Sequence, residues 1–348
     1  MKSLIYGYGE TGKSFERYLN KKNKKFEIFD NNLDDFRKEF DLRAFDKIFC
    51  SPGIPKDIYK KLVKENKNIY TDLDIFFNED KSIKIGITGT NRKSTTAYHL
   101  KQIFENYKSA NLIGNIGNPM LDYINNHKEF SIIELSSFQL DKMKKNKLDY
   151  GILLNIDVDH IDYHGNIKSY KDAKKKILLA KNSISYESDP YTLFEWITET
   201  KPEQIEFENL PYRYEIITKN IINDSKSTNY HSLSYALRQA SELFKSSNFK
   251  LIVCGDPKKE NFRKISVSEP EEVFICGFHA KDIDKCLDHP RKIIMDSLSD
   301  VLESIFKLSD SSNILFSPGY PSGKDFKNFN ERGYHFNFLL KKYLTKWI

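Results

Sequence analysis

Cysteine is scarce in this chain, four in 348 residues, and no two are spaced as Cys-x-x-Cys. Cys50, Cys254 and Cys276 sit in or beside apolar runs and read as small buried hydrophobes in a reducing compartment. No apolar run reaches the roughly 20 residues of a membrane-spanning helix. The opening Met-Lys-Ser-Leu-Ile-Tyr-Gly meets glycine too soon for a signal peptide. These absences predict a cytoplasmic protein with no membrane partner. Neither sign of charge dominates: 55 Lys and Arg stand against 49 Asp and Glu, a net +6. Lysine runs such as Lys142 to Lys147 therefore read as solvated faces, and no nucleic-acid partner is expected. No short-period repeat is visible. What is present is 39% hydrophobic and 14% aromatic residues, enough to build cores, in a length that accommodates about two or three domains.

The most informative stretch is 86–95, Gly-Ile-Thr-Gly-Thr-Asn-Arg-Lys-Ser-Thr. It follows the alternating Ile83, Ile85 and Ile87 and precedes Ala97, Leu100, Ile103, Phe104 and Tyr107 at helical spacing. Strand, glycine-containing loop, Lys-Ser and helix is a layout that holds phosphates on backbone N–H groups and a helix N-terminus. Gly89, Thr90, Asn91, Arg92, Lys93, Ser94 and Thr95 are thus candidate ATP-binding residues, with Lys93 on the β/γ oxygens and the Ser94 hydroxyl on Mg²⁺. Arg92 stands where this loop has glycine. If the position needs positive φ, a side chain there costs roughly 1 kcal/mol.

The first segment reads as strand 4–6, Gly7-x-Gly-x-Thr-Gly12, a short helix, then strand 26–29 ending in Asp30. That is a βαβ unit, so a parallel sheet is expected. Alone, the glycines and Asp30 fit an NAD oxidoreductase, or merely a tight strand-to-helix turn. Strand 47–50 leads into Ser51-Pro52-Gly53. Further strands are expected at 131–135 and 150–155, with a Lys-rich helix at 168–180. The stretch 181–211 is polar and poorly periodic. Strands at 250–254, 273–276, 292–295 and 313–316 alternate with helical patterns, a second doubly wound α/β region. The expected modules are 1–80, 81–210 and 211–348.

Several side chains bear on chemistry. Glu134 ends an apolar strand, the edge where α/β proteins bind ligands, and is a hard oxygen donor suited to Mg²⁺. His160, read alone, is a structural or general-base histidine. Lys174, read alone, is one more lysine on a wet helix face. Asp224 and Lys226, read alone, form a surface ion pair of little energetic weight.

Ordered blocks change these readings. They are Gly89-Thr-Asn-Arg-Lys-Ser-Thr95, Gly114-Asn-Ile-Gly117, Glu134-Leu-Ser-Ser-Phe-Gln-Leu140, Asn155-Ile-Asp-Val-Asp-His160 and Tyr170-Lys-Asp-Ala-Lys174. Asn223-Asp-Ser-Lys-Ser-Thr-Asn229 and Phe316-Ser-Pro318 through Phe326-Lys-Asn-Phe329 follow. Together they resemble the Mur ligase family, and most of all its D-glutamate-adding members. The resemblance implies a three-domain α/β architecture. It has a Rossmann-like N-terminal domain, a P-loop ATPase central domain, here shortened, and a Rossmann-like C-terminal domain. It implies ATP and two Mg²⁺ as cofactors, UDP-N-acetylmuramoyl-L-alanine and D-glutamate as substrates, and a monomer.

The resemblance also implies residue roles. Glu10, Thr11 and Gly12 would meet the UDP diphosphate and Asp30 the uracil. Ser51, Gly53, Asn115, Ser136 and Gln139 would complete the site of that substrate. Ser94 and Glu134 would ligate one Mg²⁺. His160 and Lys174 would serve a second, provided the lysine is carbamylated into an oxygen donor. Arg213 and Asp224 would bind ATP, with Asp224 on the ribose. Lys226 would act at the acyl phosphate, and Thr228, Lys258, Ser322 and Phe329 would bind D-glutamate. Two features depart from the family: Arg92, and the short span from Lys174 to Pro211-Tyr212-Arg213, which has no match to the asparagine pair that recognises adenine. They motivate one alternative, a degenerate non-catalytic UDP-sugar or nucleotide-binding protein. A second is another amide ligase of the Mur and folylpolyglutamate synthetase superfamily, which the Gly7–Gly12 module argues against because the folate enzymes lack a UDP module.

Overall fold

The computed structural model describes residues 2–36, 41–116, 118–245, 248–260, 262–308 and 312–344, and Gly117 of the Gly114–Gly117 block lies outside them. The chain forms two compact units, Met1–Glu208 and Asn209–Ile348.

The first unit opens with β1 (Ser3–Tyr6), α1 (Glu10–Lys21), β2 (Phe26–Phe29), β3 (Lys47–Cys50), α2 (Lys56–Glu65), β4 (Ile69–Tyr70) and α3 (Asp72–Glu79). The strands form a parallel sheet in the order β2-β1-β3-β4. Leu4, Ile5, Ile48 and Phe49 are buried, as expected of parallel strands covered on both faces. A second sheet follows from β5 (Ile83–Thr88), α4 (Lys93–Tyr107), β6 (Ala110–Gly114), β7 (Phe130–Glu134), α5 (Ser137–Lys142), β8 (Tyr150–Leu153), α6 (Ile161–His164), α7 (Ile167–Lys175), β9 (Asn182–Ser185) and α8 (Pro190–Thr198). Its order is β6-β7-β5-β8-β9, all parallel, with the strand that feeds the phosphate loop at the centre. One core runs from Phe15 and Leu19 of α1 and Phe49 of β3 to Ile113 of β6, Ile133 of β7 and Leu140 of α5.

The polar stretch 181–211 holds an edge strand and a helix. Asp189 caps α8 and Pro190 opens it, while Leu193, Phe194 and Ile197 pack with Ile103 and Phe104 of α4. Tyr191 and Trp196 pack against the same cluster, but the helix is only nine residues long, too short to show a clear period within a polar stretch. The lysine-rich helix gives way after Lys175 to a 3₁₀ turn, Lys176–Leu179.

The second unit contains β10 (Glu215–Thr218), β11 (Ile221–Asn223), α9 (Tyr230–Phe244), β12 (Lys250–Cys254), β13 (Ile265–Ser266), β14 (Glu272–Cys276), α10 (Ala280–Cys286), β15 (Leu287–Asp288), β16 (Lys292–Met295), α11 (Leu298–Leu308), β17 (Ile314–Gly319) and α12 (Phe329–Leu344). Its main sheet has the order β10-β11-β17-β12-β14-β16, antiparallel only between β10 and β11. β13 and β15 form a separate two-stranded ladder. The C-terminal ends of β11, β12 and β17 carry the loops of Lys226, Lys258 and Ser322, the edge where such sheets place ligands.

Candidate active site

The phosphate loop forms despite Arg92. Arg92 is the N-cap of α4 at φ 64°, ψ 0°, in the left-handed region, and its side chain is exposed. The side chain points to solvent while the loop backbone keeps its course. Asn155 secures that course: its Oδ1 accepts from the Asn91 N–H at 2.8 Å and its Nδ2 donates to the Asn91 carbonyl at 3.1 Å. The Thr90 hydroxyl lies 2.9 Å from the Tyr170 hydroxyl and accepts from the Asp157 N–H at 2.9 Å. Ser94 is buried in the first turn of α4, with Thr95 half-buried beside it. Lys93 Nζ donates to the carbonyls of Gly89 at 2.8 Å and Thr90 at 2.9 Å, which holds its charge over the loop. Arg92→Gly removes a strain of roughly 1 kcal/mol. The variant is therefore expected to melt at the same or a higher temperature and to bind ATP no more weakly. Thermal scans and ATP titration check this, and a tenfold loss of affinity would place the guanidinium on a phosphate oxygen instead.

Glu134 ends β7, next to β5 in the sheet, and is 1% exposed. Its Oε1 accepts from Asn115 Nδ2 at 2.7 Å, and its Oε2 is buried with no hydrogen-bond partner among the described residues. A buried carboxylate oxygen without a partner is costly. With the Ser94 hydroxyl at the same sheet edge, it is a hard-oxygen donor set that fits Mg²⁺. Lys174 is 1% exposed and donates to the same Gly89 carbonyl at 2.7 Å and to Thr88 Oγ1 at 3.3 Å. Burial first, and then the Lys93 charge, push its pKa well below the usual lysine value, against the opposing pull of Asp159 and Glu134. The wet-face reading of Lys174 is excluded: this is a buried amine held toward its neutral form, the form that can react with CO₂. His160 is half-exposed at φ 50°, with Nε2 3.5 Å from Asp159 Oδ2 and its ring against Phe138. Among the described residues, no three His, Cys, Asp or Glu side chains gather as a metal cluster. Any ion here would rely also on hydroxyl and modified-lysine oxygens.

The glycine loop after β1 is built for close packing. A Cβ on Gly12 would stand 2.2 Å from the Gly7 carbonyl oxygen, and Gly7 itself has φ +90°. Asp30 accepts from the Tyr8 N–H at 2.7 Å and the Asn32 N–H at 2.8 Å, so it also ties the end of β2 to this loop. Glu10, exposed, and Thr11 lie in the first turn of α1. Ser51 is buried and its hydroxyl donates to the Gly7 carbonyl at 2.7 Å; Gly53 is exposed nearby on the same loop. Ser136 and Gln139 form a capping box at the start of α5, and Gln139 Nε2 reaches Asp72 at 3.3 Å. Burial raises the Asp72 carboxyl to about 6.

In the second unit Lys226 Nζ stands 3.9 Å from the centroid of the Phe329 ring, with the Arg213 guanidinium 6.0 Å from the same ring. Asp224 accepts from Ser317 Oγ at 2.9 Å and the Tyr214 N–H at 3.0 Å, and burial raises its carboxyl to about 7. Thr228 is half-buried just before the Asn229 cap of α9, Lys258 is exposed and Ser322 is buried.

Sequence reasoning missed three residues. Asn155 and Tyr170 lie inside recognised blocks, yet their loop contacts needed coordinates. Arg332 of α12 is fully buried and donates to Ser225 Oγ at 3.1 Å, the Ser225 carbonyl at 2.7 Å and the Tyr320 carbonyl at 2.9 Å. It ties the loop of Lys226 and Thr228 to that of Ser322. Its spacing to Phe336 and Leu340 puts it on the buried face of α12, yet the sequence gives no sign of the carbonyls it meets there.

Known proteins resemble this arrangement. A family model described as Mur ligase middle domain matches residues 87–261. A UDP-N-acetylmuramoylalanine–D-glutamate ligase of Francisella philomiragia subsp. philomiragia is 30% identical over 406 aligned positions, covering 97% of this chain and 96% of that one. The ligase of the same name from Thermosipho africanus is 27% identical over 421 positions, covering 98% of each chain. Such spans exceed the 348 residues available here, so both relatives hold internal positions that this chain lacks. The crystal structure of MurF ligase from Thermotoga maritima in complex with ADP shares the fold, with a TM-score of 0.59 at 14% identity over 99% of this chain and 95% of that one. With its phosphate loop inside the matched segment and relatives aligned almost end to end, the chain belongs to the Mur ligase family.

Proposed function

We infer that this chain is an ATP-dependent ligase that joins D-glutamate to UDP-N-acetylmuramoyl-L-alanine in the synthesis of peptidoglycan precursors. The observation that carries the reading is the intact phosphate loop. Arg92 takes a left-handed backbone and turns outward, which removes a main motive for a degenerate binder. Near full-length likeness to D-glutamate ligases supports this branch of the superfamily.

In the reaction, a carboxylate oxygen of the L-alanyl group takes the γ-phosphoryl of ATP, giving an acyl phosphate and ADP. The D-glutamate amine then attacks the acyl carbon and loses a proton. Phosphate leaves, and an amide remains. The physical demand is charge neutralisation around the transferring phosphoryl. Lys93 and the loop N–H groups would supply it, and the family resemblance gives Lys226 the acyl phosphate. Ser94 and Glu134 would hold one Mg²⁺, and His160 with carbamylated Lys174 a second, to neutralise phosphate oxygens. Asn115 orients Glu134. Arg213 and Asp224 serve ATP. Thr228, Lys258, Ser322 and Phe329 serve D-glutamate. Glu10, Thr11, Gly12, Asp30, Ser51, Gly53, Ser136 and Gln139 serve the UDP-linked substrate. We assign the UDP-substrate module to 1–80, the ATP module to 81–210 and the amino-acid module to 211–348. We further take the protein as a cytoplasmic monomer without nucleic-acid or membrane partners, in keeping with its four free, buried cysteines.

The test is phosphate release. It should require ATP, UDP-N-acetylmuramoyl-L-alanine and D-glutamate together, and equal release without D-glutamate would refute the reading. Lys258→Ala removes one charged contact, so KM for D-glutamate should rise about 10- to 100-fold with KM for ATP nearly unchanged. An unchanged KM for D-glutamate would remove Lys258 from the site.

A further inference from the structure

Lys142 begins a lysine run whose sequence predicts a solvated face, and the structure contradicts this. It is the last residue of α5 and 3% exposed. Its Nζ donates to the Pro52 carbonyl at 2.7 Å, the Ile54 carbonyl at 2.9 Å and the Tyr163 hydroxyl at 2.6 Å. Those three bonds account for all three ammonium protons. The rings of Tyr59 and Tyr163 lie 5.3 Å and 4.8 Å from the same nitrogen. Burial lowers its pKa to about 8, so it remains mostly cationic at neutral pH. The neighbouring Asp141 pairs with Lys56 at 3.2 Å and accepts from the Tyr163 hydroxyl at 3.5 Å, so it meets Lys142 through that phenol and not by a direct ion pair. A buried cation held mainly by backbone carbonyls and a phenol needs a reason, because burying charge is costly.

The carbonyls it holds supply one. Pro52 and Ile54 flank Gly53 and follow Ser51, and Ser51 in turn is bonded to the Gly7 carbonyl of the glycine loop. Tyr163 lies in α6, the one-turn helix that His160 caps. We propose that Lys142 is a positioning residue of the UDP-substrate site, fixing the backbone of residues 51–54 from α5 and keeping that loop in register with the helix that begins after His160. The inference rests on the assignment of Ser51 and Gly53 to the UDP-linked substrate. It adds a residue outside the loop that decides how the loop is presented.

The test uses the full chain and UDP-N-acetylmuramoyl-L-alanine. Lys142→Met keeps length and apolar bulk but removes all three bonds. Its KM for the UDP-linked substrate should rise about tenfold or more, with those for ATP and D-glutamate within about twofold. Lys142→Arg keeps the charge and the donors and should recover most of the loss. A folded Lys142→Met protein with unchanged KM for the UDP-linked substrate overturns the proposal. So does an equal rise in all three constants, which is the signature of general loosening. If Lys142→Met does not fold, Tyr163→Phe removes a single acceptor. It should raise KM for the UDP-linked substrate about two- to threefold alone, and no change would refute the role. Wild-type turnover is measured first. Its absence would sink the ligase reading itself, whereas normal wild-type turnover with an indifferent Lys142→Met protein would sink only the positioning role.

Discussion

Lys93→Ala and Glu134→Ala each lower ATP-dependent ligation by about a hundredfold or more while UDP-substrate affinity stays within about twofold, the expected result of removing charge stabilisation at a transferring phosphoryl. Lys93 opens α4 after β5 and Glu134 ends β7, both at the C-terminal edge of the second sheet, whereas the glycine loop follows β1 of the first. Lys93 is held over the loop by two carbonyls, and Glu134 keeps one buried oxygen without a partner among the described residues. Truncating Glu134 also frees the Asn115 amide, so Glu134→Gln is the cleaner companion: it keeps an oxygen acceptor for Asn115 and loses the charge. Calorimetric titration with the UDP-linked substrate, beside phosphate release, separates binding from chemistry. Near-normal turnover in either variant would show that phosphoryl transfer is centred elsewhere.

Loss of Lys174 should be as severe. The amine is 1% exposed, bonded to the Gly89 carbonyl, and shifted by burial toward the neutral form. A neutral amine can take up CO₂ to form a carbamate with release of a proton, replacing a cation with an oxygen donor at the site. Lys174→Ala is expected to fall about a hundredfold or more. A short carboxylate such as acetate should partly restore it by supplying oxygen to the emptied space. Mass spectrometry of the intact wild-type protein under bicarbonate reports the carbamate independently of activity. Full activity of the variant without added acid would refute the role.

Much of this was legible in the chain because it is encoded locally. The run from Ile83 to Tyr107 specifies strand, loop and helix through its own periodicity, and Gly7 to Asp30 does the same for the first βαβ unit. Family blocks then supplied roles that single residues could not, as for Lys174, whose own neighbourhood of lysines pointed to solvent. The reading failed where local signals were weak or misleading. Polar flanks and a length of nine residues hid the helix that packs through Leu193, Phe194 and Ile197.

The sequence by itself determined the α/β class, the phosphate loop and the order of the candidate site residues, since strand–turn–helix preferences and short motifs act over a few residues. Only the tertiary structure decided which charges are buried and what they hold. Arg92 turned outward because a left-handed backbone was tolerated there. Lys142 turned inward because the carbonyls of Pro52 and Ile54, almost 90 positions distant in sequence, converge on its ammonium. Arg332 is buried because the ends of distant strands present it with Ser225 and Tyr320 carbonyls. The cost of burying charge is met by long-range hydrogen bonds, and no local pattern of residues announces where those partners will meet.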